Sequence, residues 1–147
     1  MRFLIIFIFL ISNSFANEAI DIKNLVINKK LIKRDGLTIL NYKNKRINLD
    51  DYKGKLILLN FWATWCAPCK EEMPSLDTLQ THKSLDNLKI QNLNTYFDSP
   101  ITLAKKFGLR GIPTSILFNK KGEEFARVIG SINFTDEKFI EWLSNYN

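Results

Sequence analysis

Apolar positions in this 147-residue chain come in blocks whose spacing switches between continuous, alternating and helical. Phe3 to Ile11 is an unbroken nine-residue apolar run behind a single charge, Arg2, and Ser14-Phe15-Ala16 closes it with small residues around a larger one. The run is well short of the ~20 residues that span a bilayer, and its layout predicts a signal peptide over residues 1–16. Residues 17–36 alternate weakly and read as an N-terminal arm, with a short strand near Leu25–Ile27 and a basic turn at Lys33-Arg34-Asp35-Gly36. Leu37–Tyr42 and Arg46–Leu49 flank Lys43-Asn44-Lys45, which predicts a β-hairpin. Leu56–Trp62 is continuously apolar and predicts a strand buried on both faces.

A helix is predicted from Cys66 to about Gln80, with Met73, Leu76 and Leu79 at helical spacing and Pro74 kinking it. Lys89–Leu93 is the next strand candidate. Ser99-Pro100 opens a helix through Phe107 that Gly108 ends. Ser115–Phe118 is a second apolar strand, and Asn119-Lys120-Lys121-Gly122 turns it into Glu124–Ile129. Thr135 is the predicted N-cap of a last helix, with Asp136 and Glu137 in its first turn and Phe139, Ile140, Trp142 and Leu143 on its apolar face. Strands and helices in this order predict an α/β fold around a mixed sheet. Trp62 and Phe61 read as core, and His82 as a surface residue.

Composition changes this picture little. Hydrophobic residues make up 46% of the chain and charged residues 24%, enough for a core and inconsistent with disorder. The net charge of +6 is scattered over small lysine groups with no aromatic interleaving, so a solvated basic face is expected and no nucleic-acid partner.

The two cysteines matter more. Cys66 and Cys69 are the only two in the chain, too few for a disulfide framework, so they form a redox couple or part of a metal site. A zinc site wants about four ligands, and His82 is the one further His or Cys side chain, so neither metal nor cofactor is expected. A thiol between a strand end and a helix start sits where the positive helix terminus favours the thiolate.

The block Asn60-Phe61-Trp62-Ala63-Thr64-Trp65-Cys66-Ala67-Pro68-Cys69-Lys70-Glu71-Glu72-Met73-Pro74, followed by Phe107-Gly108-Leu109-Arg110-Gly111-Ile112-Pro113-Thr114, resembles the thioredoxin fold. More narrowly, it is similar to the exported TlpA/ResA-like thiol–disulfide oxidoreductases, a branch related to the AhpC/TSA–Redoxin proteins. The likeness covers residues 37–147, which it implies form a thioredoxin-like domain: a central mixed sheet flanked by helices, with an extra N-terminal hairpin. Ordinary thioredoxins carry a buried Asp where this chain has Asn60. The TlpA/ResA-like group has Asn there and a glutamate three residues after the second cysteine, the position of Glu72. That group also carries an insert before the proline loop. Only 43 residues lie between Cys69 and Pro113, so the insert is expected to be shortened or absent.

The resemblance implies dithiol–disulfide exchange through a Cys66–Cys69 disulfide, with Cys66 attacking and Cys69 resolving. Pro113 would be the cis-proline facing the cysteines, and Ile112 would offer a backbone edge to an extended substrate. Trp65, Ala67, Pro68 and Thr114 would complete the substrate-binding surface, and Glu72 would move the Cys69 proton. With no charged or His residue between the cysteines, a reducing couple is expected. The implied partners are protein disulfide substrates, such as apocytochrome c cysteines, and a membrane electron donor of the DsbD/CcdA type. The protein would be a monomer in the bacterial periplasm or at the outer face of the inner membrane. A disulfide oxidase or isomerase using the same cysteines, and a non-enzymatic binding module, are the competing readings.

Overall fold

The computed structural model describes residues 21–41, 43–88, 96–97 and 102–146. Seven strands and three helices follow one another as β1 (Leu25–Lys33), β2 (Thr38–Asn41), β3 (Arg46–Asn48), β4 (Ile57–Phe61), α1 (Ala67–Leu79), β5 (Tyr96–Phe97), α2 (Thr102–Lys106), β6 (Thr114–Phe118), β7 (Glu123–Ile129) and α3 (Glu137–Ser144). Short 3-10 turns lie at Leu49–Tyr52 and Lys83–Leu88. The main sheet has the order β1-β7-β6-β4, and a smaller one the order β3-β2-β5. All described pairings are antiparallel. The strand expected at Lys89–Leu93 lies outside the described residues, as does the Ser99-Pro100 helix start.

β6 is the central strand. All five of its residues are buried, and its alternation divides the core into two halves. Leu117 joins Leu76 and Leu79 of α1 and Phe139, Trp142 and Leu143 of α3 on one face. Ile116 and Phe118 join Ile39 of β2 and Leu103 and Phe107 near α2 on the other. β4 divides the same way: Leu58 packs toward α1, while Ile57, Leu59 and Phe61 pack toward α2. By the same period of two, Asn60 and Ser115 point at α1.

A charged cluster ties β1 to this frame. A register shift between Leu117 and Phe118 brings Glu124 and Arg127 of β7 to one side of the strand, although three residues apart they would normally alternate. Arg127 donates to both Glu124 carboxylate oxygens at 2.6 and 3.1 Å, and Arg34, just after β1, donates to the second at 3.1 Å. Asn28 adds a bond at 3.3 Å. Arg127 also donates to the Phe107 carbonyl, which fastens the end of α2. Burial alone would raise the pKa of the fully buried Glu124, but Arg127, Asn28 and Arg34 outweigh it and hold the carboxyl below its ordinary value.

Three expectations are corrected by packing. The first strand runs on from Ile27 to Lys33, because β7 pairs with it again at Ile32 and Lys33 after a register shift. The exposed lysines 29, 30 and 33 discourage further pairing on that outer edge. β4 is half-buried throughout rather than buried on both faces, being the last described strand of its sheet. The N-cap of α3 is Asp136, whose carboxylate accepts from the amides of Lys138 and Phe139; the Thr135 hydroxyl is taken instead by Asn133 Oδ1 at 2.6 Å. β5 had no signature in its two residues; it is made by pairing with Leu40 and Asn41 of β2. The β2–β3 hairpin and the glycine stop of α2 are as expected. Gly108 takes φ +60°, and the amides of Gly108 and Leu109 close onto Lys105 and Ala104.

Arg127→Ala is expected to cost about 2–3 kcal/mol at pH 7, less than the ~3–5 of an abandoned buried charge because Arg34 and Asn28 still hold Glu124. The depressed Glu124 pKa contributes stability above the ordinary carboxylate range, and that contribution is lost as pH falls through the folded value. Urea unfolding at pH 7 and pH 3 should therefore show the gap between variant and wild type closing in acid; an equal gap at both would contradict this role.

Candidate active site

The backbone alone brings the two halves of the site together. β4 ends at Phe61, which pairs with Thr114, the first residue of β6. The segment leaving β4 carries the cysteines, and the segment entering β6 carries Ile112 and Pro113. The Ile112–Pro113 peptide is cis, and Pro113 is buried. Its carbonyl accepts from the Gly130 amide at 2.9 Å, while the Thr114 hydroxyl donates to the Gly111 carbonyl at 2.8 Å. Thr114 is therefore buried and closes the 111–114 turn.

Cys66 is the N-cap of α1 and is joined to Cys69 by a disulfide. Its sulfur occupies the place of a capping oxygen and accepts from the Cys69 amide at 3.3 Å. No acidic residue stands in the first turn to offset the positive end of the helix dipole, so the helix start favours negative charge on this sulfur. Pro68, in that first turn, removes an amide there. Cys66 Sγ lies 3.9 Å from the Ile112 carbonyl oxygen, which places the proline loop directly over the disulfide. Cys66 retains 5% exposure and Cys69 none.

The side chains around the disulfide form an apolar rim. Trp65 is 79% exposed, Ala67 and Pro68 are exposed, and Ile112 is half-buried. Trp62 belongs to the rim as well. It was expected in the core, but β4 ends one residue earlier and leaves it 41% exposed; Phe61 does pack, edge-on against Phe107. His82 is half-buried, with Nδ1 enclosed by protein, because the 3-10 turn folds back on the end of α1.

Beneath the disulfide lies a buried polar group. Cys69, Glu72, Leu76 and Leu79 form the inward stripe of α1 at spacings of three and four, so Glu72 occupies a core position and is 3% exposed. Asn60 Nδ2 donates to Glu72 Oε1 at 2.8 Å and to Ser115 Oγ at 2.9 Å. Asn60 Oδ1 and Glu72 Oε2 have no hydrogen-bond partner among the described residues. Burial raises the Glu72 pKa; the Asn60 bond and the nearby Ile132 backbone amide pull it back without cancelling the rise. Sequence reasoning missed Ser115. Its one signal was a hydroxyl in an apolar strand two residues after Pro113.

A disulfide at a helix N-terminus, slightly exposed at Cys66 and roofed by a cis-proline loop, defines a dithiol–disulfide redox protein. A family profile described as Thioredoxin matches residues 38–145, and the chain belongs to the thioredoxin family. It is a thiol–disulfide oxidoreductase of the ResA type. It is 30% identical over 125 residues to the thiol-disulfide oxidoreductase ResA of Bacillus thuringiensis subsp. konkukian, covering 71% of each chain. It is 34% identical over 96 residues to a thioredoxin of Porphyra purpurea, covering 65% of this chain and 82% of the relative. StoA of Bacillus subtilis superposes with a TM-score of 0.53 at 24% identity, covering 75% of this chain and 94% of that one. A DsbF homologue from Corynebacterium diphtheriae gives 0.62 at 19%, covering 82% and 93%. At those identities the structural likeness speaks for the fold.

A carboxyl whose folded pKa is raised contributes most to stability below its unfolded pKa and loses that contribution as pH rises through the folded value. Glu72→Gln removes the charge, so in oxidised protein it should gain stability relative to wild type between pH 4 and pH 8. Urea unfolding at the two pH values checks this; a difference that is flat or falls with pH would show that Glu72 is not held against its charge.

Proposed function

We propose that the protein is an exported reductase of protein disulfides, with the exchange carried by Cys66 and Cys69. The supporting observation is the Cys66 sulfur at the N-terminus of α1, 3.9 Å from the Ile112 carbonyl, with Cys69 fully buried behind it. In the reduced protein the Cys66 thiolate attacks a substrate disulfide, forming a mixed disulfide and releasing one substrate thiolate. Glu72, one helical turn beyond Cys69 on the same face, takes the Cys69 proton. The Cys69 thiolate then attacks Cys66, closing the protein disulfide, and the second substrate thiolate leaves and is protonated by water. Two electrons pass from the cysteine pair to the substrate.

An extended substrate segment pairs with the Ile112 backbone, held in place by Pro113 and the Thr114–Gly111 turn, while Trp65, Ala67 and Pro68 give it apolar contact. Apocytochrome c cysteines are the proposed substrate class, and the relatives named thiol-disulfide oxidoreductase ResA support the exchange chemistry. A membrane donor of the DsbD/CcdA type would return the electrons. Residues 1–16 would act as the signal peptide that places the arm 17–36 and the thioredoxin-like domain 37–147 in the periplasm or at the outer face of the inner membrane. Among the described residues no helix is long and apolar enough to cross a membrane.

Cys66→Ser should abolish insulin reduction, whereas Cys69→Ser should keep the first attack and accumulate mixed disulfides with substrate and donor in cells. Turnover surviving in Cys66→Ser would overturn the exchange role. A reduction potential near that of strong oxidants, about −120 mV, would instead make the protein an oxidase. Glu72→Gln should slow resolution on the order of tenfold or more and flatten its pH dependence, measured by stopped-flow release of the second substrate thiol; unchanged rates at every pH would remove Glu72 from proton transfer.

A further inference from the structure

Ser115, the second residue of β6, is 2% exposed and lies opposite Asn60 in the β4–β6 register. The Asn60 amide carries two N–H groups, and both are used: one on Glu72 Oε1 at 2.8 Å, the other on Ser115 Oγ at 2.9 Å. Its oxygen has no partner among the described residues, so the orientation of the amide rests on its nitrogen side alone. A half-turn of the amide would set Oδ1 against the Glu72 carboxylate, where two acceptors repel. Ser115 is the rigid end of this chain of bonds, because β6 is buried and paired on both edges.

We propose that Ser115 is a positioning residue for Glu72: its hydroxyl holds the Asn60 amide toward the carboxylate and so sets the pH at which Glu72 can accept the Cys69 proton. The kinetic half of this rests on Glu72 being that proton acceptor. The groups facing Glu72 among the described residues are few. β4 contributes Asn60, β6 contributes Ser115, the loop before α3 contributes the Ile132 amide, and α1 contributes Cys69 and Ser75, whose hydroxyl donates to the Glu72 carbonyl. Cys69 is held in the disulfide and does not titrate in the oxidised protein, so neutral hydrogen bonds dominate the carboxylate's surroundings. Without the Ser115 hydroxyl, one Asn60 N–H loses its acceptor in a buried site and the amide keeps one of the two bonds that fix its tilt, which weakens its bond to the carboxylate.

The test uses the full chain in its oxidised form, with 13C-labelled glutamate read by NMR across pH. In Ser115→Val and Ser115→Ala the Glu72 titration should move upward by roughly 0.5–1 pH unit, the size expected for losing part of one hydrogen bond to a charged group. Ser115→Thr, which keeps the hydroxyl, should stay near wild type. In the reduced protein the acid limb of the resolution rate should move by the same amount in Ser115→Val and should not move when Glu72 is also replaced by Gln. An unmoved Glu72 titration in Ser115→Val and Ser115→Ala, or an equal movement in Ser115→Thr, overturns the proposal. A moved titration with an unmoved resolution profile upholds the positioning and overturns Glu72 as the proton acceptor.

Discussion

The antiparallel register of β4 with β6 is the constraint on which the site depends. Phe61 opposite Thr114 puts the end of one strand beside the start of the other, so the cysteines leave the sheet where the cis-proline loop enters it. The same register sets Asn60 opposite Ser115, and strand alternation turns both toward α1. A slip of one residue would send this polar pair into the Phe107 side of the core and turn Leu59 and Ile116 to the cysteine side. Burial of β6 on both faces makes such a slip costly, which is why the redox site can rest on loops without being loose.

The two buried carboxyls show opposite uses of burial. Glu124 is enclosed by Arg127, Arg34 and Asn28, and its charge is matched, so it fastens β1 and α2 to β7. Glu72 has only neutral donors, the Asn60 amide and the Ile132 backbone amide, and burial outweighs them, so its charge is held at a cost. A structural anchor needs the first arrangement. A group that must take up and release a proton is better served by the second, and it is the second that lies one turn from Cys69.

Most of the fold was legible along the chain. Alternation and apolar runs located β2, β3, β4 and β6, and helical spacing located α1 and α3, because these elements bury whole faces that must be apolar. The cysteine pair was legible as chemistry from its spacing and its place between strand and helix. What escaped were features set by a distant partner. β5 exists through its pairing with β2, β1 extends as far as β7 supports it, and the Thr135 hydroxyl was a plausible cap until Asn133 engaged it. Trp62 reads as core in a row of apolar residues, and only the point where β4 ends leaves it at the rim.

By itself the amino-acid sequence determined the order of the main elements and the reactive pair, because each is written in local spacing and residue type; that Pro113 faces the pair followed from the family resemblance. The helical spacing pointed to Met73, Leu76 and Leu79 and gave no sign that Glu72 lies on the buried stripe of α1. Tertiary structure alone decided that this acid is buried, that Asn60 reaches it, and that Ser115 holds Asn60 in turn. Those three residues lie on α1, β4 and β6. Their contact is created by sheet register and helix packing, which no local spacing encodes.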